Sequence, residues 1–117
     1  MKYIVKILSK AKTFILSLDV KFRAKVFRTI QLLQEFGPYI TEPYSKRLKQ
    51  SEKLSELRVK HGSNICRLFY FHYKSNVYVI TSGYVKKEQK LSKAELIKAI
   101  YIMNRYLEKH NGRPKGI

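Results

Sequence analysis

The chain has 117 residues, with 25 Lys or Arg against 8 Asp or Glu, a formal net charge of +17 and a pI near 10.1. A hydrophobic content of 44%, with 9 Tyr and 6 Phe, excludes a disordered basic tail and points to one globular domain over 1–117. No apolar run approaches the ~18 residues of a membrane span, and the lone Cys66 excludes an intrachain disulfide and fits a reducing cytoplasm. A field of this sign attracts nucleic acid, an anionic membrane or an acidic protein.

The N-terminal residues 1–12 (MKYIVKILSKAK) hold a short apolar stretch broken by Lys6, with no small-residue cleavage site, so no signal peptide is expected. Residues 2–8 read either as a short strand or as the lead-in to a first helix over 10–18. Asp19 is placed to cap a longer helix over 20–36, in which Phe22, Val26, Ile30 and Leu33 follow the 3.6-residue period. Gly37-Pro38 stops it, since Gly suits a left-handed cap and Pro cannot continue a helix. Residues 38–53 (PYITEPYSKRLKQSEK) are the least regular stretch. Pro43 excludes a central strand there, and the segment reads as an extended, basic connector with at most one helical turn.

The period then changes to two. Over 54–61 (LSELRVKH), Leu57 and Val59 alternate with Glu56, Arg58 and Lys60. Residues 61–64 (HGSN) form a turn, and the nearly all-apolar 65–73 (ICRLFYFHY) reads as a central strand covered on both faces. After a turn at 74–76, residues 77–85 complete a three-strand meander. Ser92 and Glu95 make a capping box for a last helix with Leu96, Ala99, Ile100, Met103 and Leu107 on one face; residues 109–117 read as a loose tail. The sum is an α+β fold: N-terminal helices, a three-stranded antiparallel meander that an N-terminal strand would extend, and a closing C-terminal helix. If helices cover one sheet face, the other is free to present cations.

Arg58, Arg67, Lys86 and Lys87 lie inside or at the edge of these strands. A cation within a run such as ICRLFYF is costly unless it is paired, reaches solvent or meets an anion. Adjacent strands lie about 5 Å apart, so cations from three consecutive strands could converge on one phosphate, which guanidinium groups bind in a bidentate fork. The alternative is that Arg58 pairs with Glu56, two residues away on the same strand face, and that Lys86 and Lys87 end a strand in solvent. Arg67, flanked by Ile65, Cys66, Leu68 and Phe69, fits the alternative least.

His61, His72 and His110 have no zinc-site spacing, so no metal site is expected. His61, at the turn beside the basic strand, is either a surface residue or a proton-transfer group. Tyr70 and Tyr78 read as core, whereas Tyr84, near Lys86, is the candidate for stacking on an RNA base.

Further matching elements are FILSLD at 14–19, LLQEFG at 32–37, Glu42-Pro43, Leu48, ELR at 56–58, RLFYF at 67–71, GYVKKEQ at 83–89 and the helix over 92–106. In order and spacing, across nearly all of 12–108, the chain resembles the HigB-type, phage-related branch of the RelE/ParE toxin superfamily. The resemblance implies a RelE-like fold and a cytoplasmic toxin of a type II toxin–antitoxin system. It implies an endoribonuclease that cleaves mRNA in the ribosomal A site, by attack of a 2′-OH on the neighbouring phosphate, with neither metal nor cofactor. It also implies a cognate antitoxin, of helix-turn-helix type.

Carried over residue by residue, Arg67 and Lys87 match positions of phosphate binding and transition-state stabilisation, Arg58 matches a basic site on the preceding strand, and Lys86 neighbours the active cation. Glu56 stands where some relatives have a Lys that serves as base, and the Tyr or His that several relatives carry after the last strand is missing here. Lys60, His61 or Lys90 are the substitutes for the general base. Lys86, Lys60, Lys90 and Tyr84 are the expected RNA contacts. The rival readings are a non-catalytic basic module gripping RNA or the ribosome, and a gyrase-directed toxin of the same superfamily.

Overall fold

The computed structural model describes residues 2–87 and 90–111. Strand β1 (Ile4–Ile7) leads into helices α1 (Ser9–Leu16) and α2 (Val20–Phe36), a 3-10 turn (Gly37–Tyr39) and strands β2 (Ser45–Arg47), β3 (Leu54–His61), β4 (Asn64–Lys74) and β5 (Val77–Lys86), closed by helix α3 (Lys93–His110). The local signals act as their chemistry requires. Asp19 accepts the Phe22 N–H at 3.0 Å to cap α2, and Ser92 accepts the Glu95 N–H at 3.3 Å to cap α3. Gly37 ends α2 at φ +52°, and a Cβ there would come within 2.5 Å of the Tyr3 ring, so only Gly fits.

The five strands form one sheet in the order β1-β5-β4-β3-β2. The meander β3-β4-β5 is antiparallel, and the N-terminal strand does extend it, running parallel to β5. The connector 38–53 contains more than the sequence indicated: Ser45–Arg47 pairs antiparallel with β3 as a three-residue edge strand. This is compatible with Pro43, which lies just outside the ladder.

Alternation along the strands builds a core on each side of the sheet. Phe22, Val26, Ile30 and Leu33 of α2, with Ala11 and Ile15 of α1, pack on Leu57, Val59, Cys66, Leu68, Tyr70, Tyr78 and Ile80. Leu96, Ala99, Met103 and Tyr106 of α3 pack on the opposite face, against Leu54, Phe69, Phe71, Val79 and Tyr84. The second face is therefore not free. Helix α3 covers one end of it, and the cations of β3, β4 and β5 lie toward the other. A register shift in the β4-β5 pairing, between Phe69 and Tyr70, sends Tyr84 to the α3 face although Tyr78 and Ile80 point to the other.

Two residues of the expected loose tail are helical. Lys109 and His110 are the last residues of α3, with the His110 ring stacked on Tyr106 at 4.0 Å; residues 112–117 lie outside the described residues. No described helix is long and apolar enough to cross a membrane.

Cys66 is fully buried in the α1/α2 core, and burial pushes its thiol up to about 12. A maleimide probe at mildly alkaline pH should therefore leave the folded chain unlabelled and react only as urea unfolds it. Mass spectrometry across a urea titration checks this; rapid labelling without denaturant would contradict the burial.

Candidate active site

The two-residue loop Gly62-Ser63 pairs His61 with Asn64 and so sets Arg58 directly opposite Arg67. The same ladders set Glu56 opposite both Lys46 of β2 and Phe69 of β4, Arg67 opposite Tyr84, and Ile65 opposite Lys86. Side chains two apart share a face, so Lys46, Glu56, Arg58, Arg67 and Lys86 project to one side of the sheet, beyond the reach of α3.

Like charges directly opposite one another repel. Glu56 resolves the conflict. Arg67 Nη1 donates to Glu56 Oε1 at 2.8 Å, and Arg58 Nε lies 3.5 Å from the same oxygen. Arg67 and Glu56 are each 2% exposed, and the Arg58 side chain 20%. This corrects the sequence reading, in which Arg67 fitted pairing with an acid least. Its acid comes from the neighbouring strand, where the register brings Glu56 within reach.

A cavity of about 240 Å³ opens at this pair. Lys46, Arg47 and Lys49 line it from β2 and the residues that follow, with Arg58, Arg67 and Glu56 from β3 and β4. Among the described residues that line it, five cations face one carboxylate, so this lining is net positive with Glu56 ionised. Glu56 Oε2 is buried and has no hydrogen-bond partner among the described residues. Burial raises the Glu56 carboxyl above its ordinary range, against the opposing pull of Arg67, Arg58 and Lys46. Such a site can hold a phosphate and stabilise added negative charge on it.

The remaining candidates fall into three groups. Lys60 is exposed on the Arg58 face near the end of β3, and Lys86 is half-buried at the end of β5. Lys87 and Lys90 are exposed on either side of residues 88–89, which lie outside the described residues. His61 and Tyr84 are elsewhere. His61 follows Leu57 and Val59 onto the opposite face, where its ring stacks on Phe22 of α2 at 4.9 Å. It is therefore not gathered with Arg58 and Arg67. Tyr84 is 9% exposed, stacks on Phe69 at 5.9 Å, and its hydroxyl accepts the Ser92 N–H at 3.1 Å. It is a core residue that helps to cap α3, and no open platform for a base.

Lys46, Arg47 and Lys49 were missed as site residues in the sequence. Their signal was the basic run SKRLKQ at 45–50, which carries no strand pattern long enough to orient it. Among the described residues, no group of three or more His, Cys, Asp or Glu is placed to hold a metal ion.

Replacing Glu56 by Ala would remove the carboxylate that Arg67 and Arg58 both meet, and should cost about 3–5 kcal/mol of stability. Glu56→Gln keeps an acceptor for Arg67 and should cost less. A raised folded value means that protonating Glu56 favours the folded chain. That contribution is full below the ordinary value of 4.5 and is lost as the pH rises through the folded value. Urea titrations from acid to neutral pH should show this slope in the wild type and not in Glu56→Gln; a slope of opposite sign would mean that the arginines outweigh burial.

The sequence family described as phage-derived protein Gp49-like (DUF891) matches residues 13–104. Among solved structures, a mutant of the E. coli toxin RelE in the free state aligns with a TM-score of 0.60 at 18% identity, over 92% of this chain and 99% of that one. A chain of the archaeal RelE-RelB complex from Pyrococcus horikoshii aligns with a TM-score of 0.55 at 20% identity, over 77% of this chain and 100% of that one. None of the curated proteins matches the chain. The structural likeness carries the fold, which is RelE-like as the residues had indicated. The family match spans most of the sequence, and the chain belongs to the phage-derived Gp49-like family, a RelE/HigB-type toxin family.

Proposed function

We propose that this protein is the toxin of a toxin–antitoxin pair and that it cleaves mRNA on the ribosome at the basic cavity. The observation that carries the proposal is the convergence of Lys46, Arg58 and Arg67, from three strands, around one cavity whose net charge suits a phosphodiester. In this reading the 2′-oxygen of one nucleotide attacks the adjacent phosphorus, the P–O5′ bond breaks, and a 2′,3′-cyclic phosphate and a 5′-hydroxyl result. The Arg58 and Arg67 guanidinium groups stabilise the charge gathered on the phosphorane oxygens. Lys86, Lys87, Lys60 and Lys90 hold flanking phosphates as exposed or half-exposed cations.

One residue's placement supports it as the proton acceptor. His61 faces α2, whereas Glu56 is the one carboxylate among the described residues that line the cavity, and its Oε2 lacks a partner among the described residues. We assign the 2′-hydroxyl proton to Glu56, with Lys46, its cross-strand neighbour, as the donor to the leaving 5′-oxygen. The cellular partner proposed is an acidic antitoxin, drawn to the +17 surface by long-range attraction; the RelB chain in the archaeal structure is the precedent. A helix-turn-helix antitoxin and action in the cytoplasm belong to the same proposal.

One observation favours a second reading, a basic module that binds RNA without cutting it. Arg67 and Glu56 are both buried and bonded to each other, as a purely structural pair would be. Cleavage in a translation extract separates the two. The Arg58→Ala, Lys87→Ala double variant should cut mRNA at least about 100-fold more slowly, and Glu56→Gln about 100- to 10,000-fold more slowly. Both variants should lose rate more than ribosome affinity. Equal cleavage by wild type and variants would remove this active site. Intact mRNA with steeply salt-dependent binding would establish the binding module.

A further inference from the structure

A second, larger cavity of about 710 Å³ lies against the same edge strand. Lys46 and Arg47 line both cavities, so β2 is a common wall between them. The rest of the second cavity has a different chemistry. Tyr78 is the hub of its aromatic wall, with ring centroids 5.9 Å from Tyr3, 6.0 Å from Tyr70 and 5.1 Å from His72. The Tyr3 ring is held over Gly37, whose missing Cβ leaves the space it occupies, and the Tyr3 N–H donates to the Gln34 carbonyl at 3.0 Å. This wall is therefore fixed by the end of α2.

The floor of the cavity is polar and uncharged. The Tyr70 hydroxyl and Ser45 Oγ, both buried, lie 2.6 Å apart, and Ser55 also hydrogen-bonds to Tyr70. Hydroxyl groups both donate and accept, so the pair retains capacity for a ligand. Cations stand only at the β2 wall and at Lys53. Flat rings, neutral hydroxyls and cations along one side match a nucleotide with its base splayed inward and its phosphate on the cations, the usual form of single-stranded RNA recognition.

We infer that this cavity binds the nucleotide adjacent to the scissile phosphate, its base against Tyr3 and His72, which the buried Tyr78 ring backs, and its phosphate on Lys46 and Arg47. The inference rests on the RNA-cleaving reading of the first cavity and adds a base-reading subsite to it. An acidic protein segment fits less well, because Glu42 stands in the lining and the floor offers no cation.

The test is an NMR titration of the intact chain with each of the four nucleoside 5′-monophosphates at millimolar concentration, with inorganic phosphate as control. The expected result is intermolecular NOEs from base protons to the Tyr3 or His72 rings, with phosphate alone perturbing only Lys and Arg signals. His72→Ala, a change at an exposed residue, should raise the monophosphate Kd about tenfold. NOEs absent from these rings, or identical shifts with inorganic phosphate, would overturn the inference. So would a His72→Ala effect confined to affinity for the cognate antitoxin. Nucleotide binding is read here without any cleavage, so an inactive protein that still shows the NOEs would defeat the nuclease reading and leave the subsite standing.

Discussion

Two arginines held directly opposite one another on neighbouring strands need a carboxylate between them, and Glu56 is that carboxylate. Its cross-strand partner on the other side is Lys46, so cations from β2, β3 and β4 all come together at one acid. Removing two charges from water costs several kcal/mol per ion, and a buried pair of this kind contributes little net stability. Its effect is positional. It fixes cations that would otherwise repel, and in doing so it creates a small volume in which an incoming anion meets several at once.

The rest of the fold makes that position available. Strand β4 is buried from both sides, by α1 and α2 on one face and α3 on the other, so Arg67 is supplied from a strand packed on both faces. Helix α3 packs on Phe69 and Tyr84, beside the cations. The register shift in the β4-β5 pairing makes this possible: it turns Tyr84 toward α3, where its ring closes the core next to the arginines instead of joining Tyr78 on the far side.

Much of this was legible in the residues, and the gaps have physical causes. Asp19, Gly37 and the Ser92/Glu95 box marked the helix ends because capping is a local interaction. The meander was legible because its period is two and its turns are short. The opposition of Arg58 and Arg67 was also implicit, since a two-residue loop at 62–63 fixes the register; once that is applied, Glu56 falls within reach of both. Alternation likewise puts His61 with Leu57 and Val59, away from Arg58. Two features lacked a local signal. Strand β2 is three residues long and forms against the edge that β3 offers, and the register shift beside Phe69 breaks the period of two that alternation predicts. These two decide which cations line the cavity and where Tyr84 points.

Tyr84 has a consequence for the segment that follows it. Its hydroxyl accepts the Ser92 N–H at 3.1 Å, so strand β5 and the start of α3 are joined by a hydrogen bond. Lys86 closes β5, and Lys87 and Lys90 lie in the connection between the two elements. A loop with tied ends has already lost the closure entropy that an open connector of the same length would forfeit on meeting a ligand. Its lysines are thus confined to a small neighbourhood before any polyanion arrives, and less of the attraction between them is spent on gathering the chain.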